Sequence, residues 1–545
     1  MLNPIQCLTV TRPQQAPGRP KAADGAERTW RAAPSIALAL SASLILQMAA
    51  ATPAPAQGGA PDTPPAAASE KVIITPTPQQ GSRLRAALSK LLGKDARQKL
   101  GGTKSEVWTV QESRVERLKS KFKALGLKVT QLGKDWNHIL RRRQGTLAMT
   151  PAQEAMMKKA QGAREIVGVG VMTAPEAAVA EYALTASEKK NGAGGVAEEA
   201  LGRIVIPLND KQHVTVERVK AVTTEKGTTW RGKVAETGES AVLMWWKDGR
   251  LSGVFGYKGH IYMIVNMGGD VHAVLETDPT QLPPDHSPSS DRADAGAGRA
   301  LLPASVPPPP DIKPLDEIER KKLEAKDITI DLMLLYTRKP TSRYIRDPAD
   351  LLELAVEQAN ETFRNSGIPN VKLRLVHTQL VDYDETGSEH FEHLYNLVDG
   401  KVAFKNIRHL RDEKRADIVG LIVDDPSGCG LSTRVGADAE EAFFVVHHSC
   451  AAITISIAHE IGHILGARHD RLIDGNDMPF AYGHGYVNGN KWRDIMSYQK
   501  GCAGCPRLPF WSNPRVMYQG EPTGTLANDN ARVILEQAER VASFR

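Results

Sequence analysis

Two histidines four positions apart, His459 and His463, enclose a glutamate in the run His459-Glu460-Ile461-Gly462-His463-Ile464-Leu465-Gly466-Ala467-Arg468-His469-Asp470. On a helix, residues at i and i+4 leave the same face, so both imidazoles come within reach of one metal ion. Glu460 would stand beside them, placed to act as general base on a water held there. Gly466 has separate work. A helix continuing past it would carry His469 off that face, so a residue tolerant of positive φ is wanted there to turn the chain and bring His469 back. An isolated HExxH also occurs on ordinary amphipathic helices with surface histidines. With 46 Gly and 15 His in 545 residues, a chance match at the two further positions arises about twice in a thousand, which leaves that bland reading little room.

The extended pattern is similar to the signature of the metzincin metalloproteases. The resemblance implies Zn2+ as cofactor, with His459, His463 and His469 as its ligands and Glu460 as the catalytic base. It also implies a tight turn carrying Met beneath the ion, and Asp494-Ile495-Met496-Ser497-Tyr498 follows the third His at a suitable distance. Tyr498 lies two after Met496, where astacins and serralysins place a tyrosine that ligates zinc or swings to the oxyanion. Reprolysins proper lack it, so a structural Tyr packed under the site is the competing reading. Asp470 is expected to brace the chain through buried hydrogen bonds, and His447, His448 and His484 to be structural or surface residues.

The elements that must position these groups are read from periodicity. Ile328 to Thr337 reads as a strand, Pro348 to Asn365 as a helix, Val371 to Leu380 as a strand, Phe404 to Lys414 as a helix and Asp417 to Val423 as a short buried strand. Ala442 to His448 comes next as a candidate edge strand that could pair with an extended peptide and lay its scissile bond over the metal. A closing helix is expected from Asp529 to Phe544. Further upstream, Arg83 to Leu92, Glu112 to Leu125 and Pro151 to Gln161 carry helical spacing, and Arg203 to Leu275 alternates with turn residues as a β-rich module. A low-complexity bridge ending in Val306-Pro307-Pro308-Pro309-Pro310 separates that module from the C-terminal segment.

This order of elements resembles an α/β metzincin catalytic domain of the reprolysin-like group, with a twisted, mostly parallel sheet, the zinc helix and the Met-turn, preceded by an α+β propeptide. A nearer resemblance is to bacterial peptidyl-Asp metalloendopeptidases. It rests on the zinc motif, Ile495-Met496-Ser497-Tyr498, the tail Pro509-Phe510-Trp511-Ser512-Asn513-Pro514 and the ending Asp529-Asn530-Ala531-Arg532 to Phe544-Arg545. The β-module, with Trp230-Arg231-Gly232 and Leu251-Ser252-Gly253, looks like the propeptide such enzymes carry. The expected division is a signal peptide over 1–56, a propeptide over 57–282 (a helical part, then the β-module), a Pro-rich linker and activation region over 283–325, and the catalytic domain over 326–545.

The resemblance implies cleavage on the N-terminal side of Asp, which asks for a cation in the pocket past the scissile bond; Lys500 and Arg507 are the candidates, Arg507 preferred for its bidentate fork. The alternatives are a broad-specificity reprolysin-like protease, a zinc hydrolase of non-peptide amides or esters, and a binding module with an idle site. An intact Glu460 argues against the last.

Composition sets the surroundings. Residues 1–33 hold Arg12, Arg19, Lys21, Arg28 and Arg31 against Asp24 and Glu27, Ile36 to Ala50 is apolar, and Ala54-Pro55-Ala56 offers a cleavage site, so export is expected. Removing that leader takes three charges from the formal +6, and no nucleic-acid footprint survives. No later stretch is apolar enough to span a bilayer. The expected partners are protein or peptide substrates and the chain's own propeptide. Of the five cysteines, Cys7 leaves with the leader, and Cys429, Cys450, Cys502 and Cys505 allow three pairings, of which Cys429–Cys450 with Cys502–Cys505 closes two local loops. With no cysteine from 57 to 428, a thiolate cannot keep the zinc blocked; latency would come from a carboxylate or His ligand or from filling of the cleft.

Overall fold

Strands rich in β-branched and aromatic residues, joined by turn pairs such as Asp248-Gly249, build the largest sheet of the protein. The computed structural model describes residues 149–174, 203–209, 211–224, 226–285, 312–502 and 504–545, with short segments between 69 and 142. All of them fall in one unit, Pro64–Gln79 with Asp95–Arg545. The expected signal segment and the helix Arg83 to Leu92 lie outside the described residues, as does most of Glu112 to Leu125, where Glu116, Lys119 and Ser120 are helical.

The large sheet has nine strands, all antiparallel, in the order Arg141–Arg142, Ile166–Thr173, Val271–Thr277, His260–Gly268, Leu251–Tyr257, Ser240–Trp246, Gly227–Val234, His213–Thr223 and Arg203–Pro207. Its middle strands bury both faces, as their nearly unbroken apolar runs require. Along Ser240–Trp246, Ala241, Leu243 and Trp245 join a cluster with Trp230 and Ile264, while Val242 and Met244 turn the other way onto Leu354. Leu354 belongs to the helix Pro348–Asn365, which Asp347 caps by accepting from the Ala349 N–H at 3.0 Å. The same two elements are tied by charge: Arg250 Nη1 meets Asp350 at 2.6 Å and Asp347 at 2.9 Å.

The C-terminal part is built on a five-stranded sheet, in the order Val371–Leu380, Ile328–Tyr336, Ile418–Val423, Phe443–His447 and Gly430–Ser432. The first four strands are parallel and the last is antiparallel. Every residue of Ile418–Val423 and Phe443–His447 is buried, the pattern of strands covered on both faces. One apolar core runs from Met263, Val271 and Leu275 of the large sheet through Ile330, Leu352 and Ala355 to Ile461, Met496 and Trp511 around the metal-motif helix.

Several expectations need correction. A mostly parallel sheet describes the C-terminal part alone; over the described residues the pairing is mainly antiparallel, because the nine-stranded sheet is the larger. Before residue 150, where only helices were expected, a four-stranded sheet lies outside the two ranges given for them, with Ser69–Thr75 pairing antiparallel with Glu106–Gln111 and with Lys128–Leu132. The linker range 283–325 holds a helix, Glu317–Glu324, capped by Asp316. The edge strand is Gly430–Ser432, which lies outside Phe443–His447 and pairs with it. Three residues, one of them Gly, show no legible period. A helix missed altogether, His390–Val398, opens with a capping box formed by Glu389 and Glu392. Among the described residues no helix is long and apolar enough to cross a membrane.

Candidate metal centre and active site

The helix Ser456–Leu465 is buried along its whole length and stops at Gly466, whose φ of 113° no side-chain-bearing residue adopts without strain. A Cβ at Gly466 would also stand 2.7 Å from the Phe480 ring. The stop turns the chain, so that His469 faces the two helical histidines. Gly466→Ala is therefore expected to cost about 1–3 kcal/mol of stability and to weaken metal binding, since the turn sets His469. Urea unfolding and a metal titration of the same variant check both.

The three Nε2 atoms converge: His459 to His463 is 3.1 Å, His463 to His469 is 2.9 Å and His459 to His469 is 3.3 Å. Those separations approach the roughly 3.3 Å edge of a tetrahedron drawn about an ion at 2.0–2.1 Å from each nitrogen. Two of the opposite ring nitrogens, on His459 and His463, are committed elsewhere. His459 Nδ1 donates to the Ile495 carbonyl and His463 Nδ1 to the Ala467 carbonyl, each at 2.9 Å, which leaves the Nε2 lone pairs pointing inward. Burial pushes the His463 pKa down to about 4, so its ring is neutral and ready to ligate at pH 7. On this donor set a divalent ion fits.

Glu460 is 1% exposed and lies against the edge strand, where a Cβ on Gly430 would come within 2.3 Å of its Oε1. Only glycine lets the carboxylate approach so closely. Burial holds the Glu460 pKa well above the ordinary carboxylate range, opposed by nearby Ser432 and by the charge of Arg507. Both oxygens are buried beside Ser432 without a well-formed hydrogen bond, which leaves them capacity to accept one from a water or substrate.

Beneath the helix, Met496 is fully buried, and a Cβ on Gly462 would stand 3.0 Å from its sulfur. The turn bearing it is fixed by Asp494, which accepts from Ser497 Oγ at 2.6 Å and from the Ser512 N–H at 3.1 Å. Asp470 is 3% exposed and accepts from the Leu472 N–H at 3.2 Å and the Tyr498 N–H at 3.1 Å, joining the third histidine's loop to the Met496 turn. The Tyr498 ring lies 4.2 Å from that of His469 and 6.4 Å from that of His459, centroid to centroid. His484 is buried, and its Nδ1 holds the His469 carbonyl at 2.9 Å.

Beyond Tyr498 the loop is closed by the Cys502–Cys505 disulfide, and Cys429–Cys450 ties the start of the edge strand to the approach to the helix; these are the two pairs expected. The loop returns to pair with its own beginning: the Arg493 N–H donates to the Pro506 carbonyl at 3.0 Å and the Leu508 N–H to the Arg493 carbonyl at 2.8 Å. Arg493 and Arg507 thus become cross-strand neighbours. Both guanidinium groups are about nine-tenths buried. Burial first, and then the charge of Arg507, pull the Arg493 pKa down to about 9. Sequence reasoning had singled out Arg507 and missed Arg493; its place directly before Asp494, at the root of the same turn, was the available signal. The Lys500 side chain lies outside the described residues.

A second cluster, Asp424, His447 and His448, also brings possible metal ligands together. Its carboxylate is already engaged by Arg343, at 2.6 Å, and by His448, at 3.0 Å, and it reads as an ion-paired brace.

Residues 326–512 match the family described as Reprolysin_5, metallo-peptidase family M12. The chain is 32% identical to the peptidyl-Asp metalloendopeptidase of Xanthomonas campestris pv. campestris over 314 residues, 56% of this chain and 70% of the relative. It is 31% identical to that of Stenotrophomonas maltophilia over 322 residues, 57% of this chain and 72% of the relative. Among solved structures, metalloproteinase-II from Bacteroides fragilis aligns at 12% identity and a TM-score of 0.31, over 56% of this chain and 86% of that one, a likeness too distant to argue from. Sequence identity over most of the relatives' length, carried on a chain whose histidines converge as a metal centre, makes this protein a metallopeptidase belonging to the peptidyl-Asp metalloendopeptidase family.

Proposed function

We propose that the protein is an exported zinc endopeptidase that cuts peptide bonds on the N-terminal side of Asp and is made with residues 57–282 as a propeptide. His459, His463 and His469 would hold the ion, which when bound acidifies a water and polarises a peptide carbonyl. Glu460 takes the proton of the attacking water and delivers it to the departing amine. Its burial suits this shuttle, since bulk water cannot take the proton between the two steps. Tyr498, whose ring packs beside those of His469 and His459, would donate to the oxyanion. Ser432 and its neighbours on the edge strand offer main-chain groups for an extended substrate.

The observation that carries the specificity is the buried pair Arg493 and Arg507, in the segment after the Met496 turn and at its root. Main-chain carbonyls of Ser497 and Thr454 take part of the hydrogen-bonding capacity of these two buried guanidinium groups, but their charge calls for an anion, and an aspartate side chain entering beside the cleaved bond would supply one wherever the chain's own Asp285 is displaced. Arg507→Ala is expected to weaken cleavage before Asp relative to cleavage before apolar residues by about 1.5–3 kcal/mol, roughly tenfold to a hundredfold in kcat/KM. Arg493→Ala is expected to act in the same direction, with Lys500→Ala as the control. Cleavage-site profiling on a mixed proteome is the measurement. A preference for Asp that survives both arginine substitutions removes the assignment of the pocket, and a wild-type profile without acidic preference removes the specificity.

A further inference from the structure

Asp285, the last described residue before the Pro-rich bridge, points into the arginine pair. Its Oδ1 lies 2.7 Å from Arg507 Nη2 and its Oδ2 3.6 Å from Arg493 Nη1, and Oδ2 also accepts from the Gln499 N–H at 3.3 Å. The residue before it is anchored by main chain, with the Pro284 carbonyl accepting from the Cys429 N–H at 2.8 Å, next to the edge strand. One peptide segment therefore makes both kinds of contact that a substrate needs, a main-chain bond at the sheet edge and an acidic side chain in a cationic pocket. The other acids felt by Arg493 are spoken for: Asp494 by Ser497 and Ser512, Asp470 by the N–H groups of Leu472 and Tyr498. Pro283 and Pro284 restrict the segment's freedom before it binds, which lowers the entropy lost on docking.

We propose that Arg493 and Arg507 form a carboxylate-binding site whose resident ligand in the full-length chain is Asp285, so that the segment Leu282–Asp285 keeps the protease latent by filling the pocket meant for a substrate's acidic side chain. The proposal rests on the acidic specificity argued above. It needs no group from the propeptide at the metal, and so accounts for latency in a chain with no cysteine available to block the ion. Tethering strengthens the block, because an intramolecular ligand acts at an effective concentration on the order of millimolar, well above ordinary substrate levels.

The test uses the full-length chain carrying Glu460→Gln, which leaves bound peptide uncut, and two fluorescein-labelled peptides that differ only in Asp or Leu at one position. Adding Asp285→Ala is expected to tighten binding of the Asp peptide at least tenfold by anisotropy and to leave the Leu peptide nearly unchanged. Asp285→Asn, which keeps the shape and drops the charge, is expected to do the same, and Asp285→Glu to stay close to the parent. Thermal denaturation of each variant confirms that the fold is retained. Equal binding of the Asp peptide with and without Asp285 overturns the proposal; if that binding still exceeds binding of the Leu peptide, the acidic specificity stands without the latch. An equal gain for both peptides overturns the carboxylate site and the specificity together.

Discussion

Glu460→Gln is expected to lose peptide hydrolysis by roughly 10²–10⁴-fold in kcat while keeping its metal. The amide is nearly isosteric, so the close packing against Gly430 survives, but it cannot accept the proton of the attacking water. If Glu460 is the base and not a ligand, metal analysis of the variant should match the wild type. The two measurements together separate a base from a ligand: activity and metal lost in step would make Glu460 a ligand or a structural post, and near-wild-type activity would remove the mechanism. KM should move little, since the carboxylate acts in the transition state rather than in holding the peptide.

His463→Ala should have a larger effect, removing the metal and reducing activity to background. His463 has the shortest Nε2 separations to both partners, 3.1 and 2.9 Å, so the two remaining rings do not reproduce the site. The loss extends to stability. Metal binding free energy is folding free energy where the site exists only in the folded state, and the truncation also leaves the Ala467 carbonyl without its donor at the helix end. Dialysis against chelator should produce the same inactive state in the wild type, with one difference: added Zn2+ restores the wild type and does not restore His463→Ala. Recovery of the variant at micromolar Zn2+ would mean that His463 is dispensable to the centre.

The cluster of three histidines was legible in the sequence because its logic is local. Spacing on one helix, a glycine at the stop and a histidine three further on are all readable within twelve residues, and the structure brings the same three imidazoles together. Long elements with strong period were legible too: the helix Pro348–Asn365 and the strand Val371–Leu380 fall where the pattern puts them. What escaped was settled by pairing between distant segments. Gly430–Ser432 becomes an edge only because Phe443–His447 takes the place beside Ile418–Val423. Arg493 becomes one of a buried arginine pair only when the loop closes and sets it beside Arg507. Asp285 lay in a stretch whose composition reads as featureless linker, and its partner is more than two hundred positions away.

The shared core has a consequence for the proposed maturation. Met263, Val271 and Leu275 pack in one continuous apolar cluster with Ile330, Leu352 and Ala355, and Arg250 grips Asp347 and Asp350 across the same boundary. A cut anywhere between 286 and 311 would therefore sever the backbone without parting the two pieces. The nicked protein would behave as an enzyme with a tightly bound inhibitor, and its onset of activity would track the dissociation rate of that complex, and hence dilution and further digestion of the released piece, more than the speed of the cut itself.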